Sequence, residues 1–284
     1  MDDIAKETSM NRDLESILLY LYEKTGIDFS GYRSGVIEQR IMKRIKETGH
    51  VDYHEYLVFL RGSAEELRVL IDTLTINVSG FFREALTFEY IAKKVLPTIV
   101  SHKTQLHEDS ISVWSAGCAR GEEPYSIAIM LDDFLKRGDA DLAPTIFATD
   151  IDVEAIDKAL VAAYPFESVK DLKYRFLRNY FIEEGEKFII TPEVKGLVCF
   201  SIYNILDRKT FAPPESVFGG FDMIFCRNVL IYLLEEYQEI VFDKIYHALA
   251  EKGYLVLGET ERPAVKFEAR FKRRDACCPV FQKR

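Results

Sequence analysis

Between residue 11 and about residue 95 the apolar positions return every three or four residues. LESILLYLYEKTG (14–26) follows that period and stops at Gly26, which predicts a helix. YRSGVIEQRIMKRIKETG (32–49) predicts a second, ending at Gly49. DYHEYLVFLRG (52–62), AEELRVLIDTLTIN (64–77) and EALTFEYIAKKVLPTIV (84–100) continue the pattern, and the polar stretch SHKTQLHEDS (101–110) reads as a linker. The period then changes. ISVWSA (111–116), TIFATD (145–150), LVCFSIYNIL (197–206), FDMIFCRN (221–228) and GYLVLGE (253–259) are short apolar runs bounded by turn signals. They are rich in β-branched and aromatic residues, as buried parallel strands are. Helical patterns at 123–138, 152–163 and 234–253 fall between several of them. This alternation predicts an α/β fold, a parallel sheet with helices on both faces.

One connection is too long for a simple crossover. More than thirty residues separate the helix ending near Ala163 from the strand at Leu197. Within them RNYFIEEGEKFIITPEVKG (178–196) reads as a hairpin turning at EEGEK, a small subdomain inserted into the sheet domain. The last strands, with CCPVFQKR (277–284), are expected to form an antiparallel edge. The domain plan is a helical N-terminal domain with linker helix at 1–95, a sheet domain at 96–284, and an inserted β-subdomain at 164–197.

Composition narrows the class. The 284 residues are 48% hydrophobic and 29% charged, with a net charge of -9, which argues against a general nucleic-acid binder. The five cysteines include no CxxC or zinc-finger spacing, as expected of reduced thiols in the cytoplasm. The start, MDDIAKETSMNRD, has no apolar signal core, and no apolar run approaches the ~20 residues of a membrane span, so no membrane insertion is expected. His50 and His54 are spaced i, i+4, but no carboxylate or cysteine motif completes a site there, and no metal is expected.

The chemistry concentrates in SAGCARGEEPYSIAI (115–129), where the first strand ends in two glycines and two adjacent glutamates open a helix. Ligands of open parallel sheets bind beyond the carboxyl ends of the strands, where Glu122, Asp150 and Asn228 fall. An acidic residue closing the second strand suits the ribose hydroxyls of an adenosine ligand. Asp150 competes there with a role as helix N-cap, but Asp152 serves equally as the cap. The turn itself lacks GxGxxG. Glu122 and Glu123 would repel a pyrophosphate and favour a cation, which points to S-adenosylmethionine, with its sulfonium, its ammonium and no phosphate. The alternative is that both glutamates only complement the helix dipole.

Together, TINVSGFFRE (75–84), SAGCARGEEPYSIAI, ATDID (148–152) and FDMIFCRNVLIYL (221–233) resemble, in order and spacing, the motifs of the CheR chemotaxis receptor methyltransferases. The resemblance runs from about residue 12 to residue 283. It implies a Rossmann-like class I methyltransferase sheet with a helical N-terminal domain and an inserted antiparallel β-subdomain. It also implies transfer of methyl groups from S-adenosylmethionine to glutamates on the cytoplasmic helices of chemoreceptors, leaving S-adenosylhomocysteine. Carried over by position, Asn77, Ser79 and Arg83 reach the cofactor from the inter-domain segment. Glu122 and Asp150 hold its amino and ribose portions, Asn204 and Ile205 flank the adenine, and Arg227 and Asn228 close the site beside the methyl group. Tyr232 points toward the reaction centre; Arg83, Asn228 and Tyr232 form the catalytic set. Ser79 departs from the family's usual threonine but keeps the hydroxyl.

A receptor glutamate is already ionised near neutrality, with an ordinary pKa of ~4.3, so no general base is required. On the helix from Tyr32, the residues Arg33, Arg40 and Arg44 stand at i, i+7 and i+11, a basic stripe beside Ile37, Ile41 and Ile45 that suits an acidic receptor helix. A solvated helix face is the alternative. Some family members grip a C-terminal receptor peptide through a glycine-containing insertion in the subdomain. The short acidic EEGEK turn lacks one, so pentapeptide binding is not expected. Three other readings stay open: a methyltransferase for another protein or a small molecule, a non-catalytic cofactor-binding signalling module, and a nucleotide-dependent oxidoreductase.

Overall fold

The computed structural model describes residues 2–75, 79–138, 141–216 and 220–284. The chain forms two compact units, one of residues 1–77 with Tyr232–Leu234, the other of residues 78–231 with 235–284. The helix expected to close the N-terminal domain at residue 95 therefore belongs to the second unit.

The first unit is helical: α1 (Asp2–Thr25), α2 (Ser34–Glu47), α3 (Tyr53–Gly62) and α4 (Ala64–Thr75). On α2, Ile37, Ile41 and Ile45 are buried, the single stripe that a period of 3.6 dictates. Asp52 caps α3, its carboxylate accepting from Glu55 N at 2.9 Å. Glu66, buried on α4, accepts from the Tyr56 hydroxyl at 2.6 Å and from Arg44 at 2.9 and 2.6 Å. Tyr232–Leu234 join this unit through main-chain bonds, Arg33 N to Tyr232 O at 2.9 Å and Leu234 N to Gly31 O at 2.9 Å.

The second unit opens with α5 (Ala85–Tyr90), a π-helical turn (Ile91–Val95) and α6 (Leu96–Leu106), which run on without a break. The first six residues of the polar stretch read as a linker, 101–106, are thus helix. Its Lys103 is buried and pairs with Asp222 at 2.9 Å and Glu108 at 2.6 Å, which draws the segment onto the sheet. There follow β1 (Ser110–Ala116), α7 (Glu122–Gly138), β2 (Ala143–Asp150), α8 (Val153–Val161), β3 (Ala163–Pro165), α9 (Phe166–Val169), α10 (Tyr174–Tyr180), β4 (Phe181–Glu184), β5 (Lys187–Ile190), α11 (Pro192–Lys195), β6 (Val198–Ile202), β7 (Phe221–Cys226), α12 (Glu235–Ala248), β8 (Leu249–Leu257), β9 (Phe271–Arg273) and β10 (Val280–Lys283).

The main sheet has the order β6-β2-β1-β7-β8-β10-β9. The first five strands are parallel, and β10 and β9 are antiparallel. Every residue of β7 is buried, as a central parallel strand requires. The inserted hairpin is present: β4 and β5 pair antiparallel about a turn at Gly185, and β3 completes a three-stranded sheet.

Two details depart from the sequence reading. Helix α12 ends at Ala248, although the apolar pattern and the Ala, Glu and Lys of ALAEKG extend it to Gly253. Leu249 pairs with Phe221, the chain bulges with Lys252 at φ 63°, and pairing resumes at Tyr254 opposite Met223. Burial of Leu249 in the sheet outweighs local helix propensity. And β10 is antiparallel as expected but lies inside the sheet; β9 is the outer strand.

Gly121, at the start of α7, has φ 94°, and an added Cβ would come within 2.9 Å of both Ala159 Cβ and Tyr164 Oη. Gly121→Ala is expected to destabilise the fold by about 2–4 kcal/mol through overpacking and positive-φ strain, read as a lower urea midpoint at unchanged m-value.

Candidate active site

The carboxyl ends of β6, β2, β1, β7 and β8 all face the same way, and Glu122, Asp150, Asn204, Ile205, Arg227 and Asn228 fall at or just beyond those of β1, β2, β6 and β7. The loop after β1 folds back onto β2, with Gly117 N and Cys118 N donating to Thr149 O at 2.8 and 2.9 Å. Asp150 ends β2 and is buried; its carboxylate accepts from Ala119 N at 2.8 Å and Asp152 N at 3.0 Å. Asp152 is the cap of α8, accepting from Glu154 N and Ala155 N, so Asp150 is not needed as one. With Ile151 N also bonding to it, the carboxylate still keeps acceptor capacity for a ligand donor. Burial raises the Asp150 pKa, and the main-chain bonds oppose that shift.

The two adjacent glutamates divide their tasks. Glu123 turns inward, accepting from Ser115 Oγ at 2.7 Å and pairing with Arg227 at 3.0 Å. Glu122 is buried too, and its Oε2 has no hydrogen-bond partner among the described residues. Desolvation raises its pKa; a bond from its own main-chain N–H, the charge of Arg120 and a bond from Ser79 oppose that shift. A buried acceptor of this kind gains most from a charged donor.

Ser79 and Arg83 lie on a segment fixed by two aromatic anchors. Phe81 packs edge-on against Tyr164 and Phe181, with centroids 4.8 and 5.3 Å away; Phe82 lies 5.1 Å from both Phe88 and Phe176. Phe82 N donates to Ser126 Oγ at 2.8 Å. Arg83 itself is exposed. Asn77 lies outside the described residues.

Arg227, expected to close the site beside the methyl group, is held by acidic and main-chain partners. Its side chain is 2% exposed and meets Glu84 at 3.0 Å, Glu123 at 3.0 Å and the Arg83 carbonyl at 2.6 Å. It braces three segments of the site. Asn228 follows in the left-handed region at φ 58°, where asparagine is among the better tolerated residues.

On the loop after β6, Tyr203 N donates to Asp150 O at 2.8 Å, which sets Asn204 and Ile205 beside the end of β2. Asn204 Oδ1 accepts from Leu206 N at 2.9 Å, an Asx turn. Beneath it, buried Lys244 donates to the Tyr203 hydroxyl at 2.7 Å and to Asp207 O at 2.6 Å, and desolvation pulls its pKa down to about 8.

Tyr232 and the three arginines belong to the helical unit. The Arg40 guanidinium sits 5.7 Å from the centre of the Tyr232 ring. The arginines are not one uniform stripe. Arg33 Nε donates to Leu233 O at 3.2 Å and Arg40 to Thr73 O at 2.5 Å, bonds to backbone carbonyls that leave the positive charge in place. Arg44 is neutralised by Glu66 and Glu47.

Sequence reasoning missed Glu84, the inward role of Glu123, and Glu261. The Glu261 carboxylate is buried and accepts from the main-chain N–H groups of Asn228, Gly258, Leu230 and Ile231. In GETERP it has no sequence mark, since its partners are backbone groups that every residue carries.

The model of the CheR methyltransferase SAM-binding domain matches residues 77–277, and that of the CheR all-alpha domain matches residues 12–75. This chain belongs to the CheR methyltransferase family. A CheR methyltransferase uses S-adenosylmethionine, and the residues here fit it: an orphaned buried carboxylate oxygen for a cationic group, and a carboxylate at the end of β2 with acceptor capacity to spare. Among its relatives are a chemotaxis protein methyltransferase of Borreliella burgdorferi, 32% identical over 88% of this chain and 87% of that one, and chemotaxis protein methyltransferase 2 of Vibrio cholerae, 33% identical over 85% and 82%. That of Escherichia coli is 32% identical over 85% and 81%.

Replacing Arg227 in this CheR protein by Met would leave buried Glu123 and partly buried Glu84 without their cation. Arg227→Met is expected to lose about 3–5 kcal/mol of stability, measured by urea unfolding.

Proposed function

We propose that this methyltransferase esterifies glutamate side chains on the cytoplasmic helices of chemoreceptors, as a cytoplasmic protein-glutamate O-methyltransferase of chemotactic adaptation. The observation that carries it is the unpartnered, buried Oε2 of Glu122 in a glycine turn that offers no room for phosphate charge. The naming of the relatives as chemotaxis methyltransferases supports the substrate class. No helix among the described residues is long and apolar enough to cross a membrane, which agrees with a cytoplasmic site of action.

When bound, the cofactor supplies an electrophilic methyl group on a sulfonium. The protein's part is to orient two reactants and exclude water. In this reading Glu122 holds the ammonium, Asp150 the ribose, and Asn204 with Ile205 the adenine, while Ser79 and Arg83 close over the amino-acid end. Arg83 pairs with the cofactor's carboxylate, Asn228 borders the methyl group, and Tyr232 orients the incoming glutamate. Arg227 serves by bracing the segments that carry Arg83 and Asn228. Because the accepting glutamate is ionised at neutral pH, the step needs no protein base, and charge is lost as a neutral ester and thioether form. Arg33 and Arg40 are the arginines that would meet an acidic receptor helix, since the charge of Arg44 is already matched.

The test is incubation with labelled S-adenosylmethionine and a receptor cytoplasmic fragment. Label is expected on glutamates and is released as methanol in base; no label, or label stable to base, overturns the assignment. Asp150→Asn is expected to weaken S-adenosylhomocysteine binding by about 1.5–3 kcal/mol, the worth of a charge-assisted hydrogen bond, while far-UV circular dichroism stays unchanged. Unaltered affinity in calorimetry removes Asp150 from the site.

Recognition works without a receptor C-terminal pentapeptide. The outer strand β4 carries exposed Glu183 and Glu184 and runs into a turn with exposed Glu186, which disfavours a peptide ending in a carboxylate. A tether would raise the local concentration to roughly millimolar, so dependence on one is easily detected. Calorimetry with such a pentapeptide is expected to give no measurable heat; micromolar binding overturns this.

A further inference from the structure

We infer that Glu261 is a positioning residue for methyl transfer: its carboxylate, gripped by main-chain N–H groups, fixes the 228–231 loop against the glycine turn. The inference rests on the reading of Asn228 and the glycine turn given above, and adds a residue that reading does not contain. Glu261 is 3% exposed. One oxygen accepts from Asn228 N and Gly258 N, each at 2.8 Å. The other accepts from Leu230 N at 2.8 Å and Ile231 N at 3.3 Å. Consecutive N–H groups turned toward one point form an anion-binding concavity, and here the anion is a side chain from the loop after β8.

The grip determines a conformation the loop would otherwise not hold. Asn228 sits at φ 58°, outside the region ordinary residues favour. The far end of the loop is tied by buried Leu230, whose carbonyl accepts from Gln238 Nε2 at 2.9 Å. The consequence reaches the cofactor turn through Val229: a Cβ on Gly117 would lie 2.6 Å from Val229 Cγ2, so loop and turn are in close contact. Gly258 belongs to the same interlock. A Cβ there would meet Asn228 Nδ2 at 2.7 Å, Glu261 Oε2 at 2.9 Å and Asn228 N at 3.0 Å.

The nest can thus be disturbed in two independent ways. Glu261→Gln turns an amide NH2 toward main-chain N–H groups and so loses at least one acceptor, with little change of volume. Gly258→Ala keeps the carboxylate and forces the interlock apart. Both variants and the wild type are compared for S-adenosylhomocysteine affinity by calorimetry, for kcat on a receptor cytoplasmic fragment, and for the thermal midpoint, all binding and rate measurements being made well below that midpoint. The expected result is a loss of roughly tenfold or more in affinity or kcat per folded molecule, as for a charge-assisted hydrogen bond. A lower midpoint with wild-type affinity and kcat overturns the inference and leaves Glu261 as a structural staple. If one variant fails to fold the other decides, and failure of both also assigns Glu261 to folding. A wild-type protein that binds S-adenosylhomocysteine but methylates no receptor refutes the proposed substrate instead, and the affinity comparison still judges Glu261.

Discussion

A guanidinium buried between two carboxylates organises the candidate site. Arg227 ends the central run FDMIFCR, Glu123 stands in the first turn of α7, and Glu84 stands beside Arg83 at the start of α5. Three stretches far apart in sequence meet at this one charge. Taking three ions out of water is costly, and their attraction repays it only where geometry is good and the remaining polar groups are bonded. Here the Arg83 carbonyl and the Ser115 hydroxyl take up part of what is left, and Phe88 lies under the guanidinium at 5.4 Å. Such a network specifies one arrangement more than it stabilises it. Slipping any of the three segments by a residue would leave an uncompensated charge inside the protein.

Once Glu123 is consumed in that network, the electrostatics of the turn follow. Glu122, Asp150 and Glu261 are all buried, and burial raises the pKa of each. Asp150 and Glu261 are held by main-chain N–H groups, which favour the charged form. Glu122, with an oxygen left unpartnered, is the one best suited to an external cation. A pyrophosphate would find carboxylates where dinucleotide folds present bare N–H groups. The preference for a cationic, phosphate-free cofactor therefore comes from which acids remain after the protein has satisfied itself.

The main sheet was legible because its strands are buried on both faces and read as short apolar runs, and the glycine turn was legible because φ above 70° at Gly117 and Gly121 calls for glycine. Asp152 as the cap, which released Asp150, followed from spacing alone. What stayed hidden depends on partners that sequence does not display. Nothing in CRN shows that its arginine meets two glutamates from distant segments. The bulge at 250–253 was hidden because ALAEKG favours helix locally and only the register with β7 decides otherwise. Of the arginines read as one stripe, Arg40 and Arg44 lie on α2, Arg33 stands just before it in extended backbone, and Glu66 arrives from another helix to match the charge of Arg44.

Backbone strain completes the picture of a site built before its ligand arrives. Among the described non-glycine residues with positive φ are Phe82, Glu84, Ala119 and Asn228, each on a segment that borders the site. Strain of this kind, of order 1–3 kcal/mol per residue, persists only where surrounding contacts over-determine the conformation. Each of these has such a contact: Ser126 Oγ on Phe82 N, Arg227 on Glu84, Asp150 on Ala119 N, and Glu261 on Asn228 N. Three of the four restraints are charged and buried, so they weaken little in salt and do not yield to solvent. A reaction that requires alignment of two reactants, with no proton to be moved by the protein, is served by rigidity above all, and that is where the fold has placed its buried charge.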